Sequence, residues 1–562
     1  MSELSQSEMD VLVVGAGPTG LTMAAELAAR GVGCRIVDKT PVRSGRSRAL
    51  VIHARSLELL QKMGIADELV TLGRRTLKIT PFVGGRSAAN LELGDIGVDD
   101  TPYPFLLFVS QAETERMLEK HLEGLGVKVE RPVELLTFEE DAEGVSARLR
   151  HEDGHEENVR ARYVVGADGA HSAVRHTLGL SFEGDAYPQD FVLADTMIDW
   201  EGEPDRLYFF LSRRGLLALF PLAESYSYRL IAPRPGGQPH GSDDPTLEEF
   251  QQLATELSPI PMKLHNPSWL ARFRLHHRGV DSYRVGRAFV AGDAAHIHSP
   301  AGGQGMNTGI QDAYNLAWKL ALVIEGHAPG SFLDSYHAER HPIGQRLLRT
   351  TDRMFNVAAT RNPLLIALRN FLIPRVLPRV MGKRSRRARA FRFVSQLGIK
   401  YPDSPIVGEE LGEADRAFRC GPAAGHRAPD GPLRLAGDRR MVSLFSRLRG
   451  APHQLLLFAG STADGWSTSG TELHDLLTEY EGLLQPHLIV AREHAPKVGT
   501  IPVYVDEPGL LHERYGLKGA GYYLIRPDGY VAYRAPGTDL RPVRAYLQRT
   551  FASPALIKTQ PH

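Results

Sequence analysis

One segment near the start of the chain constrains the fold more than any other. Residues 10–39 are DVLVVGAGPTGLTMAAELAARGVGCRIVDK, and the run Val11–Val14 predicts a strand that is buried on both faces. Gly15, Gly17 and Gly20 follow, and the apolar residues after them recur at helical spacing. A strand, a glycine-rich turn and a helix in this order predict a dinucleotide-binding unit.

Each glycine of this motif has a physical task. Gly15 makes the tight turn, Gly17 lets the backbone approach a pyrophosphate, and Gly20 lets the helix pack closely against the strand. The helix begins near Pro18, and its first N–H groups and positive dipole end attract phosphate. The motif therefore predicts a phosphate-binding turn.

An acidic residue completes the unit. The run Cys34–Val37 predicts a second strand, and it leads directly to Asp38 and Lys39. Asp38 lies 18 residues after Gly20, where a carboxylate can accept hydrogen bonds from the ribose hydroxyls of a dinucleotide. The position of the motif at the start of the chain is typical of flavin enzymes.

Two further motifs distinguish between the dinucleotides. Asp168-Gly169 follows the strand-like run YVVG, and Gly292-Asp293 follows the predicted strand Ala288–Ala291. The glycine-rich run Ala301–Asn307 then leads into a predicted helix over 305–319. Backbone N–H groups in such a run can contact the carbonyl edge of a flavin ring, and the helix dipole stabilises negative charge there.

With these three motifs in order, the chain resembles the class A flavoprotein monooxygenases, the family of para-hydroxybenzoate hydroxylase and phenol hydroxylase. The resemblance implies an α/β fold with a Rossmann-like FAD-binding domain, an inserted mixed β-sheet substrate domain and a thioredoxin-like C-terminal domain. We expect the FAD-binding domain at 1–75, 101–185 and 284–400, the substrate domain at 76–100 and 186–283, and the C-terminal domain at 401–562.

The resemblance also implies the FAD-binding residues. Arg48 falls where relatives place an arginine against the flavin pyrophosphate, and Gln111 falls where a glutamine opens the helix that faces the cofactor. The relatives' usual arginine before that glutamine is Ser110 here. The full set of expected FAD-binding residues is Gly15, Gly17, Pro18, Gly20, Asp38, Lys39, Arg48, Gln111, Asp168, Gly292, Asp293, Pro300, Gly303, Gly305, Met306 and Asn307.

The family reaction needs an electron donor and a base. The resemblance implies that NADPH or NADH reduces the flavin and that a flavin C4a-hydroperoxide hydroxylates a phenolic or polyketide-derived aromatic ring. A phenolate reacts better than a phenol, so we expect a base near the ring. The aspartate of phenol hydroxylase has no counterpart, because that position is Leu50. The candidates are Tyr228, on a predicted strand of the substrate sheet, and the loop histidines His53 and His298.

Two other parts of the chain bear on the architecture. The stretch between the second and third motifs alternates in polarity, which predicts strands over 207–212, 215–221 and 225–232. Beyond residue 400 we expect strands at 454–458 and 488–490, a helix at 472–484 and a hairpin turning at Asp528-Gly529. Cys420 is the one cysteine of this region, so it cannot cycle a disulfide, and we expect a structural role or dimer contacts.

Composition excludes several other classes. Lys plus Arg and Asp plus Glu both number 66, so no net charge gathers nucleic acid or an anionic membrane, and we expect neither partner. Cys34 and Cys420 are the only cysteines, and no cluster of metal ligands is visible. The polar, acidic start is not a secretory signal, so we expect a cytoplasmic enzyme that takes a small aromatic substrate, O₂ and NAD(P)H.

Other activities remain open. A Baeyer–Villiger-type oxygenation or an antibiotic-modifying monooxygenation would use the same motifs, and a more remote alternative is a non-catalytic FAD-binding protein. The resemblance leaves a homodimer open, and the sequence does not identify the aromatic substrate or the choice between NADH and NADPH.

Overall fold

The architecture is that of a computed structural model. It describes residues 8–552 apart from short gaps at residues 44, 46–48, 77, 93–95, 235–243, 299–301, 361, 413, 461–465, 467–469 and 493–500. The described residues form three large sheets, one small sheet and the helices that cover them.

The first sheet carries the dinucleotide motif. Its strands are β1 (Glu8–Val14), β2 (Cys34–Val37), β9 (Val129–Glu130), β10 (Val133–Glu140), β11 (Val145–His151), β12 (Glu156–Gly166), β18 (Arg284–Val285) and β19 (Ala288–Val290). Strand β1 pairs in parallel with β2 on one side and with β12 on the other, and β19 pairs in parallel with β12. The carboxyl ends of β1, β12 and β19 therefore lie together, and each is followed by one of the three predicted motifs.

The second sheet comes from two separate parts of the chain. Its strands are β5 (Lys78–Val83), β6 (Arg86–Ser87), β7 (Leu91–Glu92), β13 (Glu183–Trp200), β14 (Arg206–Leu211), β15 (Leu216–Pro221), β16 (Ser227–Pro233), β17 (Met262–Gly279) and β20 (His296–Ile297). The long pair β13 and β17 forms its spine. Side chains on one face pack against a helix at Leu247–Leu257, and alternate residues point to the opposite face.

The third sheet belongs to the C-terminal part. Its strands are β21 (Gly408–Glu409), β22 (Pro432–Leu435), β23 (Met441–Ser443), β24 (His453–Phe458), β25 (Leu484–Val490), β26 (Val503–Val505), β27 (Gly521–Ile525) and β28 (Val531–Pro536). Strand β24 is parallel to β25 and antiparallel to β27, which makes the sheet mixed. The small sheet joins β3 (Val51–Ile52), β4 (Arg74–Thr76) and β8 (Leu106–Phe108).

Helices cover the sheets and connect them. They are α1 (Pro18–Ala28), α2 (Ala54–Lys62), α3 (Ala66–Leu72), α4 (Gln111–Gly124), α5 (Ala173–Thr177), α6 (Leu247–Leu257), α7 (Gly305–Ile324), α8 (Asp334–Ala359), α9 (Pro363–Met381), α10 (Arg384–Val394), α11 (Arg416–Cys420), α12 (Gly470–Glu479), α13 (Leu510–Tyr515) and α14 (Arg541–Thr550). None of the helices in the described part of the chain has the length and apolar character that a bilayer crossing requires.

Most local predictions match these elements, but the helix expected at 472–484 ends at Glu479, because strand β25 begins at Leu484. The structure confirms the strand, helix and strand of the first motif, the strand and helix around the third, the three alternating strands of the second sheet and the C-terminal hairpin. The mixed α/β fold class is confirmed as well. The boundaries between the three domains stay a prediction, since the sheets place strands but do not define where a domain ends.

Candidate functional site

Two helix N-termini meet at the edge where the motifs lie. Helix α1 begins at Pro18 and α7 begins at Gly305, and neither has a side chain that caps its first turn. Thr19 lies between them, because a Cβ at Gly309 would come within 2.2 Å of the Thr19 Oγ1 and one at Gly292 within 2.5 Å. The N–H groups and dipoles of both helices therefore act on one small volume, which suits an anion.

The glycines of the first motif differ in what surrounds them. A Cβ at Gly20 would lie 1.8 Å from the Gly15 carbonyl oxygen, and one at Gly15 would lie 2.4 Å from the Ala167 oxygen. Gly15 also has a φ of +99°, which other residues rarely adopt. Gly17, in contrast, has no heavy atom within 4 Å of the position of a Cβ. Gly15 and Gly20 are therefore required by close packing, and the open side of the loop lies at Gly17.

Two acidic side chains border this loop. Asp38 accepts a hydrogen bond from the Ala16 N–H at 2.7 Å, so it fixes the turn while its second oxygen binds Thr40. Asp168 accepts from the Ala173 N–H at 2.6 Å, and burial raises the pKa of its carboxyl. The open loop, the two uncapped helices and the carboxylate at the ribose position fit the diphosphate and ribose of FAD.

His53 is fully buried behind the glycine-rich run. Its Nε2 lies 3.0 Å from the Gly302 oxygen and 3.1 Å from the Gly303 oxygen, so Nε2–H donates to both carbonyls. Burial lowers the pKa of His53 to about 4, and the imidazole is neutral near pH 7. The Nε2–H of His53 is already bound to two loop carbonyls, which gives the residue a supporting role, and its role as a base stays a prediction.

Asn307 completes the support of the same run. Its Nδ2 donates to the Val51 and Gly303 oxygens at 2.8 and 3.0 Å, and its Oδ1 accepts from the His53 N–H at 2.8 Å. Its side-chain hydrogen-bonding groups are thus used within the protein, and the expected contact of Asn307 with FAD stays a prediction. Gly302 and Gly303 have φ values of +86° and +62°, which glycine adopts readily, and the Asn307 contact to Gly303 helps to hold this turn in place.

A cavity of about 630 Å³ lies between the second sheet and the start of α4. Its wall includes an ion pair in which the Arg229 Nε and Nη2 each donate to Asp195 at 2.7 Å. The guanidinium also lies 5.0 Å from the centre of the Trp269 ring. Ser110, which caps α4, and Leu50 line the opposite side. The cavity thus combines aromatic and aliphatic surface with one charged pair.

Tyr228 lies on the wrong face of the second sheet for its expected role. Because side chains alternate along β16, Ser227 and Arg229 face the cavity while Tyr228 faces α6. Its hydroxyl donates to the Glu203 carbonyl at 2.7 Å, and burial raises its pKa. The Tyr228 hydroxyl therefore does not face this cavity, and its role as a base stays a prediction that its position does not favour.

The remaining predicted residues are placed as follows. His298 is half-buried, and its ring lies near Gly305, within 3.3 Å of the position of a Cβ there. The side chain of Asp293 is exposed on the turn after β19, and that of Lys39 is exposed beside Asp38. Their roles remain predictions.

Gln111 holds the segment that precedes the cavity. Its Oε1 accepts from the Ala49 N–H at 3.1 Å, and its Nε2 donates to Glu115 at 2.8 Å. Met306 packs partly buried against the main core. Arg48 and Pro300 lie outside the described residues.

Sequence reasoning missed several residues at this site. Thr19 fixes the approach of α1 to α7, and Arg229 and Asp195 charge the cavity wall. The period-two alternation of β16 carried the signal for Arg229, since it shares a face with Ser227 rather than with Tyr228. Nothing in the local pattern marked Asp195, because its partner is on another strand.

Comparison with known families matches both halves of the chain. The model described as "FAD binding domain" matches residues 8–351, and the model described as "Aromatic-ring hydroxylase, C-terminal" matches residues 421–554. The first match covers the glycine-rich turn, the paired helix ends and the cavity wall.

Similar proteins extend over nearly the whole chain. The 6-methylpretetramide 4-monooxygenase of Streptomyces rimosus is 37% identical, with 96% of this chain and 93% of that protein covered. The pentachlorophenol 4-monooxygenase of Sphingobium chlorophenolicum is 35% identical, with 93% of each covered. A solved ternary complex of aklavinone-11 hydroxylase with FAD and aklavinone is 25% identical with a TM-score of 0.74, and 98% of this chain and 99% of that one are covered.

Proposed function

Because this chain belongs to the FAD-binding aromatic-ring hydroxylases, we propose that it hydroxylates a phenolic or polyketide-derived aromatic compound in the cavity beside Arg229. The chain is an FAD-dependent monooxygenase. Its substrate, its electron donor and the roles of individual residues are proposals.

The cavity carries the proposal. Its volume of 630 Å³ lies in the range of pockets that bury a drug-sized ligand, which accommodates a fused-ring system as well as a single phenol. The relatives named above act on 6-methylpretetramide and pentachlorophenol, and the solved complex contains aklavinone. Aromatic compounds of this kind agree with a cavity that has Trp269 and Leu50 in its wall.

The chain's own residues would bind and orient the reactants and exclude water from them. FAD supplies the redox and oxygen-transfer chemistry when bound. The N–H groups at the starts of α1 and α7 would hold its phosphates and ring edge, while His53 and Asn307 hold the glycine-rich run in position. The ion pair of Arg229 and Asp195 would orient a substrate hydroxyl placed next to it through a charged hydrogen bond.

The electron donor is proposed to be NADH or NADPH acting from solution. The sequence has no second strand followed by a Gly-X-Gly-X-X-Gly turn, so the nicotinamide would visit the flavin without a domain of its own.

The first test follows flavin reduction without oxygen. The purified yellow enzyme is mixed anaerobically with NADPH or NADH, alone and with a panel of phenols and aromatic polyketides. We expect one chemical class to accelerate bleaching many-fold and to gain one oxygen atom when air is admitted. Equal bleaching with every compound would instead favour a Baeyer–Villiger enzyme or a reductase. A protein that takes up no FAD would remove the enzyme proposal.

Two neighbouring substitutions test the cavity itself. Arg229→Met should raise the substrate KM or lower kcat by about tenfold, because a charged hydrogen bond to substrate contributes roughly 1.5 kcal/mol or more. Tyr228→Phe is the matched control on the same strand, and it should change neither constant, since that hydroxyl faces α6. Equal effects of both substitutions would contradict the assigned register.

A further inference from the structure

Helix α9 exposes an unusual amount of apolar surface. Its outward side chains range from 38% to 78% exposed; they are Leu364, Leu365, Leu368, Phe371, Leu372, Val376 and Val380. The helix is attached to the second sheet by a narrow inner face, where the buried Arg369 donates to the Ser212 carbonyl at 2.8 Å. Single exposed apolar residues are common, but seven on one helix form a contiguous apolar patch, and such patches indicate an interaction surface.

The same part of the chain is strongly basic. Residues 353–402 contain 12 Lys and Arg residues and no Asp or Glu, although the whole chain is balanced at 66 of each sign. Several of these cations are exposed along the second half of α9 and on α10; they are Arg375, Arg379, Lys383, Arg384, Arg386 and Arg389. The net charge of the whole chain therefore did not reveal this local excess of positive charge.

The two features lie on one line of the helix. Leu364, Leu368, Phe371, Arg375 and Arg379 are spaced by three or four residues, so they follow one another along the outward side. The Arg375 guanidinium also lies 3.9 Å from the centre of the Phe371 ring. The apolar half of α9 thus continues directly into a cationic half, over roughly 28 Å of helix.

We propose that this surface, formed by α9 and α10, docks the enzyme on an anionic lipid bilayer. The leucines and Phe371 enter the boundary between head groups and acyl chains, and the arginines contact lipid phosphates. Helices with large aliphatic and aromatic residues on one part and Lys or Arg beside them bind membranes in this manner. This inference departs from the expectation, drawn from net charge, that the protein has no membrane partner.

Charge and geometry favour a bilayer over a protein partner. A second copy that packed the apolar halves against each other would supply no negative charge to the cationic halves, whereas an anionic bilayer supplies it along the whole surface. A groove on another protein would cover Arg375 and Arg379 together with the leucines and remove their hydration. At a lipid surface, long arginine side chains reach the phosphates while their neighbours insert.

The test is flotation of the full-length FAD-loaded enzyme with lipid vesicles. Pure phosphatidylcholine vesicles are compared with vesicles that contain about 30% phosphatidylglycerol. We expect binding to the anionic vesicles only, with a loss at high salt. Leu368→Glu with Phe371→Glu should abolish binding, and Arg379→Ala should weaken it about fivefold.

Matched controls make the result decisive. Met441→Glu, on β23 and 43% exposed, adds one glutamate at an exposed apolar residue elsewhere, as Phe371→Glu alone does on α9, and should leave binding unchanged. The flavin spectrum of each variant shows that it is folded. Failure to bind either vesicle would overturn the proposal, and so would equal loss in Met441→Glu. A dimer in sedimentation that Phe371→Glu dissociates, without vesicle binding, would assign the surface to a second copy instead.

Discussion

Two regions of the molecule differ in how their polar groups are partnered. One is the flavin cleft, formed by the turn Gly15–Gly20 and the starts of α1 and α7. The other is the contact between the third sheet and helices α2, α7 and α8. In the cleft, the N–H groups at the starts of α1 and α7 have no capping side chain. At the contact, the tip of the β27–β28 hairpin enters between α2, α7 and α8, and its charged groups are paired within the protein.

The buried contact is a network of charges. The Arg526 guanidinium donates to Glu339 at 2.6 and 2.8 Å and to Asp528 at 3.0 Å, and the Lys319 Nζ donates to Glu339 at 2.9 Å. Burial would raise the pKa of Glu339, but Arg526 and Lys319 outweigh it and hold that pKa below its usual value. Arg55 of α2 joins the network through the Asp528 carbonyl.

This difference distinguishes groups that can bind a ligand from groups that hold the parts of the protein together. A group left without a protein partner at the cleft is available to a ligand, whereas the paired groups at the contact can only fix the position of the helices. Helices α2 and α7 belong to both regions, since α2 follows His53 and α7 contains Lys319. The C-terminal part therefore reaches the cleft through two helices, and the substitutions below perturb the two regions one at a time.

The largest effect should come from the network. Glu339→Gln leaves Arg526 and Lys319 buried with less compensating charge, which should cost about 3–5 kcal/mol of stability in urea unfolding. Asp539→Asn, which removes an exposed pair with Arg541, is the control and should cost at most about 1 kcal/mol. Similar costs for the two variants would show that the buried network does not hold the C-terminal part in place.

The next effect concerns how the free energy of unfolding depends on pH through His53, which supports the glycine-rich run. The pKa of His53 is lowered to about 4 in the folded protein, below the ordinary 6.5, so the unfolded chain binds a proton first as pH falls. Its contribution is complete above about pH 6.5 and is lost as pH falls towards 4. Between pH 7 and pH 5 the loss of unfolding free energy should be about 2 kcal/mol.

His53→Gln isolates that contribution. Glutamine keeps an N–H donor for the two loop carbonyls but does not titrate, so the variant should lose about 2 kcal/mol less than the parent between these pH values. His53→Leu, which has no donor, should in addition release FAD more easily at pH 7. An unchanged pH slope in His53→Gln would place the acid sensitivity elsewhere.

The smallest effect separates ligand space from packing space in the cleft. Gly17→Ala meets no protein atom, so the free protein should keep its stability while FAD binds about tenfold more weakly, a difference of about 1.4 kcal/mol. Gly330→Ala, equally open but distant in the chain from the motifs, should leave FAD binding unchanged. Both are measured by flavin titration and thermal unfolding of the apoprotein. A loss of apoprotein stability in Gly17→Ala would contradict the open loop.

Local patterns predicted much of the fold and part of the site. Spacing alone located Gly15, Gly17 and Gly20 and the strands and helix around them, because short-range geometry dictates such turns. The hairpin turn at Asp528-Gly529 was also predicted, but its sequence is that of a surface turn. The structure buries Asp528, since Arg55 and Asn315 contact it from distant parts of the chain and Arg526 pairs with its carboxylate.

The sequence did not show which face of a strand lines the cavity or which residues far apart in the chain come into contact. Alternation in β16 gave two faces but not which face the cavity would use, and the structure places Arg229 rather than Tyr228 in the cavity wall. Likewise, His53 was recognised as a loop histidine, but its burial against the Gly302 and Gly303 carbonyls depends on residues 250 positions away.

The sequence by itself determined the FAD-binding architecture, because glycine turns, strand runs and helix starts depend on neighbours within a few residues. The tertiary structure decided which side chains face the cavity, which charges are paired and which apolar residues of α9 stay exposed. Those outcomes depend on burial and on contacts between residues far apart in the chain, and neither is encoded by local spacing.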